Sequence, residues 1–252
     1  VATFPATMPG SLRSYSLVDL SWPEVVSYLE RDRRLILPVG ACDQHGPHLP
    51  LGAATCIAEA LADDLSREFG VLRAPTFPYG VNVPTERDFA GTATLRGKTL
   101  HRALNELVSA WESHGFMEIV MVTASEHDPQ AEAMATVYAD RARVRVVEAL
   151  AVDLSQYLRE PEGPQHGGEV VTSLLLHLRP GAVNMEAAED CLMDADKYRR
   201  FVRGNLPVLP AGCPGSIGRP TLATAETGRL IYEHILDRIR HKIFISPPPD
   251  EG

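Results

Sequence analysis

The 252-residue chain has no apolar run near the length that spans a bilayer. Its first residues also lack the basic-then-apolar pattern of a secretory leader, so the expected location is cytoplasmic. Cysteine is sparse: Cys42, Cys56, Cys191 and Cys213 stand apart without C-x-x-C spacing, which argues against a disulfide framework and for free thiols in a reducing compartment. Cys42 is read as a buried structural thiol, although its place beside Asp43 would also allow a thiolate ligand. Basic residues are in deficit, with 24 Lys and Arg against 33 Asp and Glu and a formal net charge of −9. That balance argues against nucleic acid and anionic membrane as partners and leaves a small molecule. Internal repeats are absent too.

What remains is ordinary globular sequence, 44% hydrophobic and 23% charged, long enough to bury a substantial core. It reads as one domain over 1–252, with an N-terminal arm over 1–20 and a flexible tail over 244–252 that carries Pro247, Pro248 and Pro249. Ser21-Trp22-Pro23-Glu24 is a helix start, with Ser as cap, Pro in the first turn and Glu three residues on. Leu35–Val39 follows as a buried strand. Ile57, Leu61 and Leu65 predict a helix over Ala53–Phe69, closed by Gly70. Further strands are expected at Val71–Pro75, Glu118–Val122 and Val144–Val147. Further helices are expected at Leu100–His114, Ala131–Ala139, from Gln165 through Leu178, and Leu222–Ile243. Residues 181–220 read as irregular, with an exposed Lys197–Arg200 cluster. Repeated strand–helix alternation predicts an α/β fold: a mostly parallel sheet covered on both faces. Ligands in such sheets bind beyond the carboxyl ends of the strands.

Two chemistry-bearing loops fall at that edge. Gly40–Gly52 follows the first strand and carries Asp43 and His45, a carboxylate and an imidazole two residues apart. Thr123–Asp128 follows the third strand and carries Glu126, His127 and Asp128. Two further stretches have polar residues in suggestive places: His166-Gly167-Gly168-Glu169 at a helix start, and Tyr79 through Asn82, Glu86 and Arg87. Each alone also fits a capped turn or a solvated loop.

Together these stretches resemble the creatininase family of metal-dependent amidohydrolases. Asp43–Gly52 matches nine of ten letters of the family's Glu-Gln-His-Gly-Pro-His-Leu-Pro-Leu-Gly loop. Tyr79-Gly80 with Phe89-Ala90-Gly91-Thr92, His114-Gly115-Phe116, His166–Ser173 and Gly218–Gly228 follow in the family's order. The resemblance implies a three-layer α/β subunit, assembly as a homo-hexamer, and a two-metal site, commonly zinc with manganese. It also implies that His166 moves protons near the substrate.

Carried over position by position, the implied ligand set is altered. Asp43 stands for a Glu, His45 is retained, and Ala54 replaces the Asp that joins the two metals. Ser125 replaces a His, and His127 replaces a Glu. The Trp-Asp pair of the creatinine pocket has no counterpart in Glu162–Gln165, which points away from creatinine itself. The expected metal set is therefore Asp43, His45 and His127 around one divalent ion (zinc, manganese or iron), or no metal at all. His166, Glu126 and Glu169 are the expected acid–base groups, and Tyr79, Asn82, Glu86 and Asp128 the expected substrate contacts. Three functional readings stand: hydrolysis of an amide or cyclic amide with a single metal, metal-independent acid–base chemistry on the same scaffold, or a non-catalytic binding subunit.

Overall fold

The computed structural model describes residues 14–160, 163 and 165–245; the arm up to residue 13 and the proline-rich tail from 246 lie outside them. Four parallel strands, β1 (Arg34–Pro38), β2 (Leu72–Arg73), β3 (Glu118–Thr123) and β4 (Arg143–Glu148), pair in the order β2-β1-β3-β4. β1 and β3 sit in the middle, and Leu35, Ile36 and Leu37 are fully buried without alternation. Continuous apolar sequence is what a strand covered on both faces requires.

Helices α1 (Trp22–Leu29), α3 (Gly97–Ser113) and α4 (Asp128–Ala135) cover one face. Helices α2 (Ala53–Phe69), α5 (Glu169–Leu178) and α7 (Ala225–Ile239) cover the other. The backbone amide of Ser21 donates to the Glu24 carboxylate at 2.7 Å, tying off the start of α1. α5 and α7 cross so closely that a Cβ on Gly228 would lie 1.8 Å from the Ser173 carbonyl oxygen. Ser14–Leu20 of the arm extends the sheet edge, with the Arg73 amide donating to the Tyr15 carbonyl at 2.8 Å.

Four expectations need correction. α4 begins at Asp128, three residues before the predicted start, because Pro129 presets its first turn. It ends at Ala135 rather than Ala139, since the Tyr138 amide turns instead to Asn105 Oδ1 at 3.1 Å. α5 starts at Glu169, and His166 lies outside it in a short bridge with Ile217. α7 runs from Ala225, capped by Thr224, and from Arg240 its last turns widen into a π-helix. The Lys242 and Ile243 carbonyls freed there accept the Arg145 guanidinium, each at 3.0 Å. The largest difference is α6 (Ala195–Val202), which stands where irregular chain was predicted, although Lys197, Arg199 and Arg200 are exposed as expected. Asp194 caps it, its side chain accepting from the Lys197 amide at 2.8 Å. Tyr198 and Phe201 turn inward, with Phe201 fully buried.

The turn into β4 hangs on one carboxylate. Glu112, nearly buried near the end of α3, accepts the backbone amides of Asp140, Arg141 and Ala142. The Ala142 amide foremost holds its carboxyl below the usual range. A depressed acid stabilises the fold above the unfolded pKa of about 4.3 and loses that contribution as pH falls through the folded value. Glu112→Gln is expected to lower the melting temperature at neutral pH. The gap from the parent protein should narrow on acidification below about pH 4, as followed by circular dichroism melts.

Candidate active site

The loop after β1 is pinned from several sides. The Asp43 amide donates to the Leu51 carbonyl at 3.0 Å and the Ala93 amide to the Cys42 carbonyl at 2.9 Å. Asn82 Nδ2 donates to the same Cys42 carbonyl at 3.0 Å. Thr172 Oγ1 donates to the Gly167 carbonyl at 3.1 Å, so it accepts the His48 Nε2 proton at 2.8 Å, fastening the loop to α5. Gly167 has φ +57°, and a Cβ there would lie 2.2 Å from the His45 carbonyl oxygen, so any other residue would drive the His45 and His166 segments apart.

These restraints gather three imidazoles and three carboxylates beneath α6. His166 is the hub. Its Nε2 lies 2.9 Å from Glu86 Oε1 and 3.0 Å from the Gln44 carbonyl, and its Nδ1 lies 2.9 Å from Glu126 Oε2. His45 and His127 stack on it, with ring centroids 4.7 and 5.2 Å away. His127 Nε2 is 3.5 Å from Glu86 Oε1, and its Nδ1 is 3.8 Å from Asp43 Oδ2. Asp43 Oδ1 faces His45 Nδ1 at 3.7 Å. Gln44 Nε2 bonds the Gly215 carbonyl at 3.1 Å and Glu86 Oε1 at 3.3 Å.

Burial governs the protonation of this cluster. It pushes the Asp43 carboxyl well up, with the nearby Glu86 charge adding to the effect. It pulls His45 well down, reinforced by His166, and lowers His127 to about 4. Burial would lower His166 as well, but Glu86 and Glu126 outweigh it and hold the ring well above its ordinary value. Glu86 is kept low against its own burial by His127 and His166. Without an added ion, His166 is thus an imidazolium between two carboxylates, while His127 is neutral.

Phe201 of α6 roofs the cluster edge-on, 5.6 Å from His127 and 5.1 Å from His166 by ring centroids. It belongs to a small separate core with Val83, Met193, Leu206 and Ile217. Beside this roof opens a cleft of about 380 Å³, reached by Glu126, His127 and Tyr198.

The structure sorts the predicted residues differently from the sequence. Asp43, His45 and His127 do share the cluster, but Asp43 faces the two histidines with a separate oxygen for each. The sets whose donor atoms all lie within 4.8 Å of one another are Glu86, His127 and His166, and His45, Glu126 and His166. Glu86, expected at the substrate, is fully buried against both His127 and His166. Glu169 faces away, accepting the Arg159 amide at 3.1 Å and lining a separate small cavity with Arg219. Asn82 is a backbone clamp, Asp128 lines the cleft 3.7 Å from the Arg203 guanidinium, and Tyr79 is half-exposed. Sequence reading passed over Gln44 and Phe201. The signal for Phe201 was the Tyr198, Phe201, Val202 spacing after a capping Asp194.

The residues present suit a divalent cation. Asp43 Oδ1, Glu86 Oε2 and both ring nitrogens of His127 are buried with no hydrogen-bond partner. Buried polar atoms are normally satisfied, and mixed imidazole and carboxylate donors suit zinc, manganese or iron.

The family described as creatininase, creatinine amidohydrolase, matches residues 18–243. This chain belongs to the creatininase family. A mycofactocin precursor peptide peptidase of Mycolicibacterium smegmatis is 30% identical over 240 residues, covering 86% of this chain and 87% of its own. The creatinine amidohydrolase of Pseudomonas putida is 25% identical over 261 residues, covering 94% and 99%. The solved structure named "Creatininase Mn" superposes with a TM-score of 0.76 at 25% identity, covering 94% of this chain and all (100%) of that one. A creatininase variant complexed with creatine gives 0.75 at 25% identity, covering 91% and 98%.

Within this creatininase-family fold, α6 is what seals the cluster. Phe201→Ala is expected to cost about 3–5 kcal/mol of stability, the usual penalty for emptying a buried aromatic site. Denaturant titration measures it, and a loss below about 1 kcal/mol would show that α6 is not packed as a roof.

Proposed function

We propose that this protein hydrolyses an amide or cyclic amide C–N bond with one divalent metal at the buried histidine–carboxylate cluster. The observation that carries this reading is ligand-like spacing beside orphaned atoms: Glu86 Oε2 and both His127 ring nitrogens are buried without a hydrogen-bond partner. Glu86 Oε1 stands 2.9 and 3.5 Å from the Nε2 atoms of His166 and His127. Glu86, His127 and His166 are the residues that would hold the ion, with His166 giving up its Nε2 proton on binding, which differs from the set expected from sequence. A bound divalent ion supplies a more acidic water and a polarised carbonyl.

The chain's own residues account for the rest. His127 is neutral at ordinary pH, so its lone pair is free to bind. Glu126 faces His166 Nδ1 at 2.9 Å and fixes that ring's orientation, as carboxylates behind metal-binding histidines do. Its partial exposure at the cleft places it to accept a proton from a water and return it to the departing amine. Asp43, raised by burial, stands behind His45 and His127 at 3.7 and 3.8 Å from their Nδ1 atoms, beyond hydrogen-bond reach. Phe201 and the small core around it keep bulk water from the inner face.

Among the relatives, the peptidase and amidohydrolase names are consistent with C–N bond cleavage, either in a peptide or in a cyclic amide. A second reading has its own support. The Glu86–His166–Glu126 arrangement is complete as an acid–base unit without a metal, and it would serve an elimination or isomerisation. The family likeness also supports a homo-oligomer as the working form.

Protein purified without chelator is expected to carry about one equivalent of zinc, manganese or iron per chain. Glu86→Gln should weaken metal binding by at least about 10- to 100-fold, the range already seen on disturbing a group that only orients a ligand. Elemental analysis and metal titration read this directly. Activity that survives complete chelation would favour the metal-free reading.

A further inference from the structure

Two of the four cysteines are far apart in sequence and together in the fold. Cys191 and Gly218 exchange backbone hydrogen bonds of 3.1 and 2.7 Å, and Ser216 Oγ donates to the Glu189 carbonyl at 3.2 Å. The Cys213 thiol donates to the Ser216 carbonyl at 3.3 Å, which sets its sulfur beside this pair of segments. There the Cys191 thiol is its hydrogen-bond neighbour. Both residues are partly exposed, so a small solute can reach them. The other two thiols are placed differently: Cys42 donates to the Gly91 carbonyl, and Cys56 is buried in the main core.

The chain between Cys191 and Cys213 is the roof of the cluster. It carries α6 and gives Met193, Phe201 and Leu206 to the small core above His127 and His166. Its ends meet at the 216–218 segment, whose Ile217 is bridged to His166. A bond between the two sulfurs closes a ring of roughly twenty residues around α6 and touches no residue of the cluster. Such a ring takes conformational freedom from the opened state, so the roof opens less often. The two sulfurs also differ. Burial, and then the neighbouring Cys213, push the Cys191 thiol up to about 12, so it stays protonated and donates to its partner. Cys213 is therefore the sulfur that reacts first.

We propose that Cys191 and Cys213 form a reversible disulfide latch on the roof, closed by a hydroperoxide and opened by a dithiol. With hydrogen peroxide, the Cys213 thiolate attacks one oxygen and the O–O bond breaks. Cys213 becomes a sulfenic acid, and the other oxygen takes up the proton released from Cys213 and leaves as water. Cys191 then attacks the sulfenic sulfur. The S–S bond forms, and the hydroxyl leaves with the Cys191 proton as a second water. Two thiols are oxidised and one peroxide is reduced to two waters. The latch does not depend on the hydrolytic reading or on a metal in the cluster.

The test uses the full chain, reduced, desalted and treated with about one equivalent of hydrogen peroxide. Intact mass after denaturing alkylation counts the thiols, and peptide mapping places the cross-link. The expected product is lighter by two hydrogen atoms, with Cys42 and Cys56 alkylated and Cys191 joined to Cys213. It should melt about 5 °C or more above the reduced protein, and amide hydrogen exchange over 195–202 should slow about tenfold. Dithiothreitol should reverse both changes. Cys191→Ser should leave Cys213 as a sulfenic acid that dimedone traps, and Cys213→Ser should leave Cys191 unoxidised under the same treatment. A disulfide through any other pair, a cross-link between chains, or sulfinic acid in place of a cross-link would overturn the proposal. A Cys191–Cys213 bond that leaves exchange over 195–202 unchanged would overturn it too.

Discussion

An imidazole clamped between Glu86 and Glu126 at 2.9 Å on each side is the interaction on which the site's geometry depends. An isolated charge at this depth would be neutralised rather than tolerated. Here each charge is opposed by another, and His166 is where they meet. The other two imidazoles stack against it, and their own protonation is decided by its charge and by their burial. A change at His166 therefore alters the preferred state of Asp43, His45, Glu86 and His127.

That arrangement can persist only if water is kept from it, and the fold does this with a minor core. The parallel sheet supplies the floor, because β1 and β3 end at the same edge and deliver the loops bearing Asp43 and His127. It does not supply a roof. Phe201, Met193, Leu206, Val83 and Ile217 form one from chain segments far apart in sequence. The short bridge between His166 and Ile217 ties this roof to the hub itself, with hydrogen bonds of 2.9 and 2.7 Å. Structure and site are thus coupled through a few residues rather than through the main core.

The difference between what sequence reading found and what it missed follows the range of the interactions involved. α2 is legible because its apolar spacing and closing Gly70 are local signals, and β1 because a run buried on both faces has no alternation to obscure it. α6 escaped because only Tyr198, Phe201 and Val202 mark its inner face, amid five polar or small neighbours. Its burial comes from Val83 and Ile217, which no window around residue 198 contains. Glu86 was visible as a polar residue in a turn, but its position depends on contacts to Gln44 and His166, 42 and 80 residues away. The family likeness drew attention to the loop bearing Asp43 and His45 but gave no signal that Glu86 would reach it.

The altered ligand positions make physical sense when charge is followed rather than position. The family pattern implied by the resemblance puts carboxylates at positions 43, 54 and 127. In this chain Ala54 is buried at the start of α2, and position 127 is a histidine, so two of the three are gone. Glu86 and Glu126 reach the cluster from other segments, so that with Asp43 it holds three carboxylates. A cluster with three imidazoles and only Asp43 would leave the protonated His166 buried without opposition, a cost of several kcal/mol. One with the family's carboxylates added to Glu86 and Glu126 would crowd like charges with no counterion. Substitution at one of these positions therefore constrains the others, and Glu86 is the carboxylate that opposes His166 and His127 in this chain.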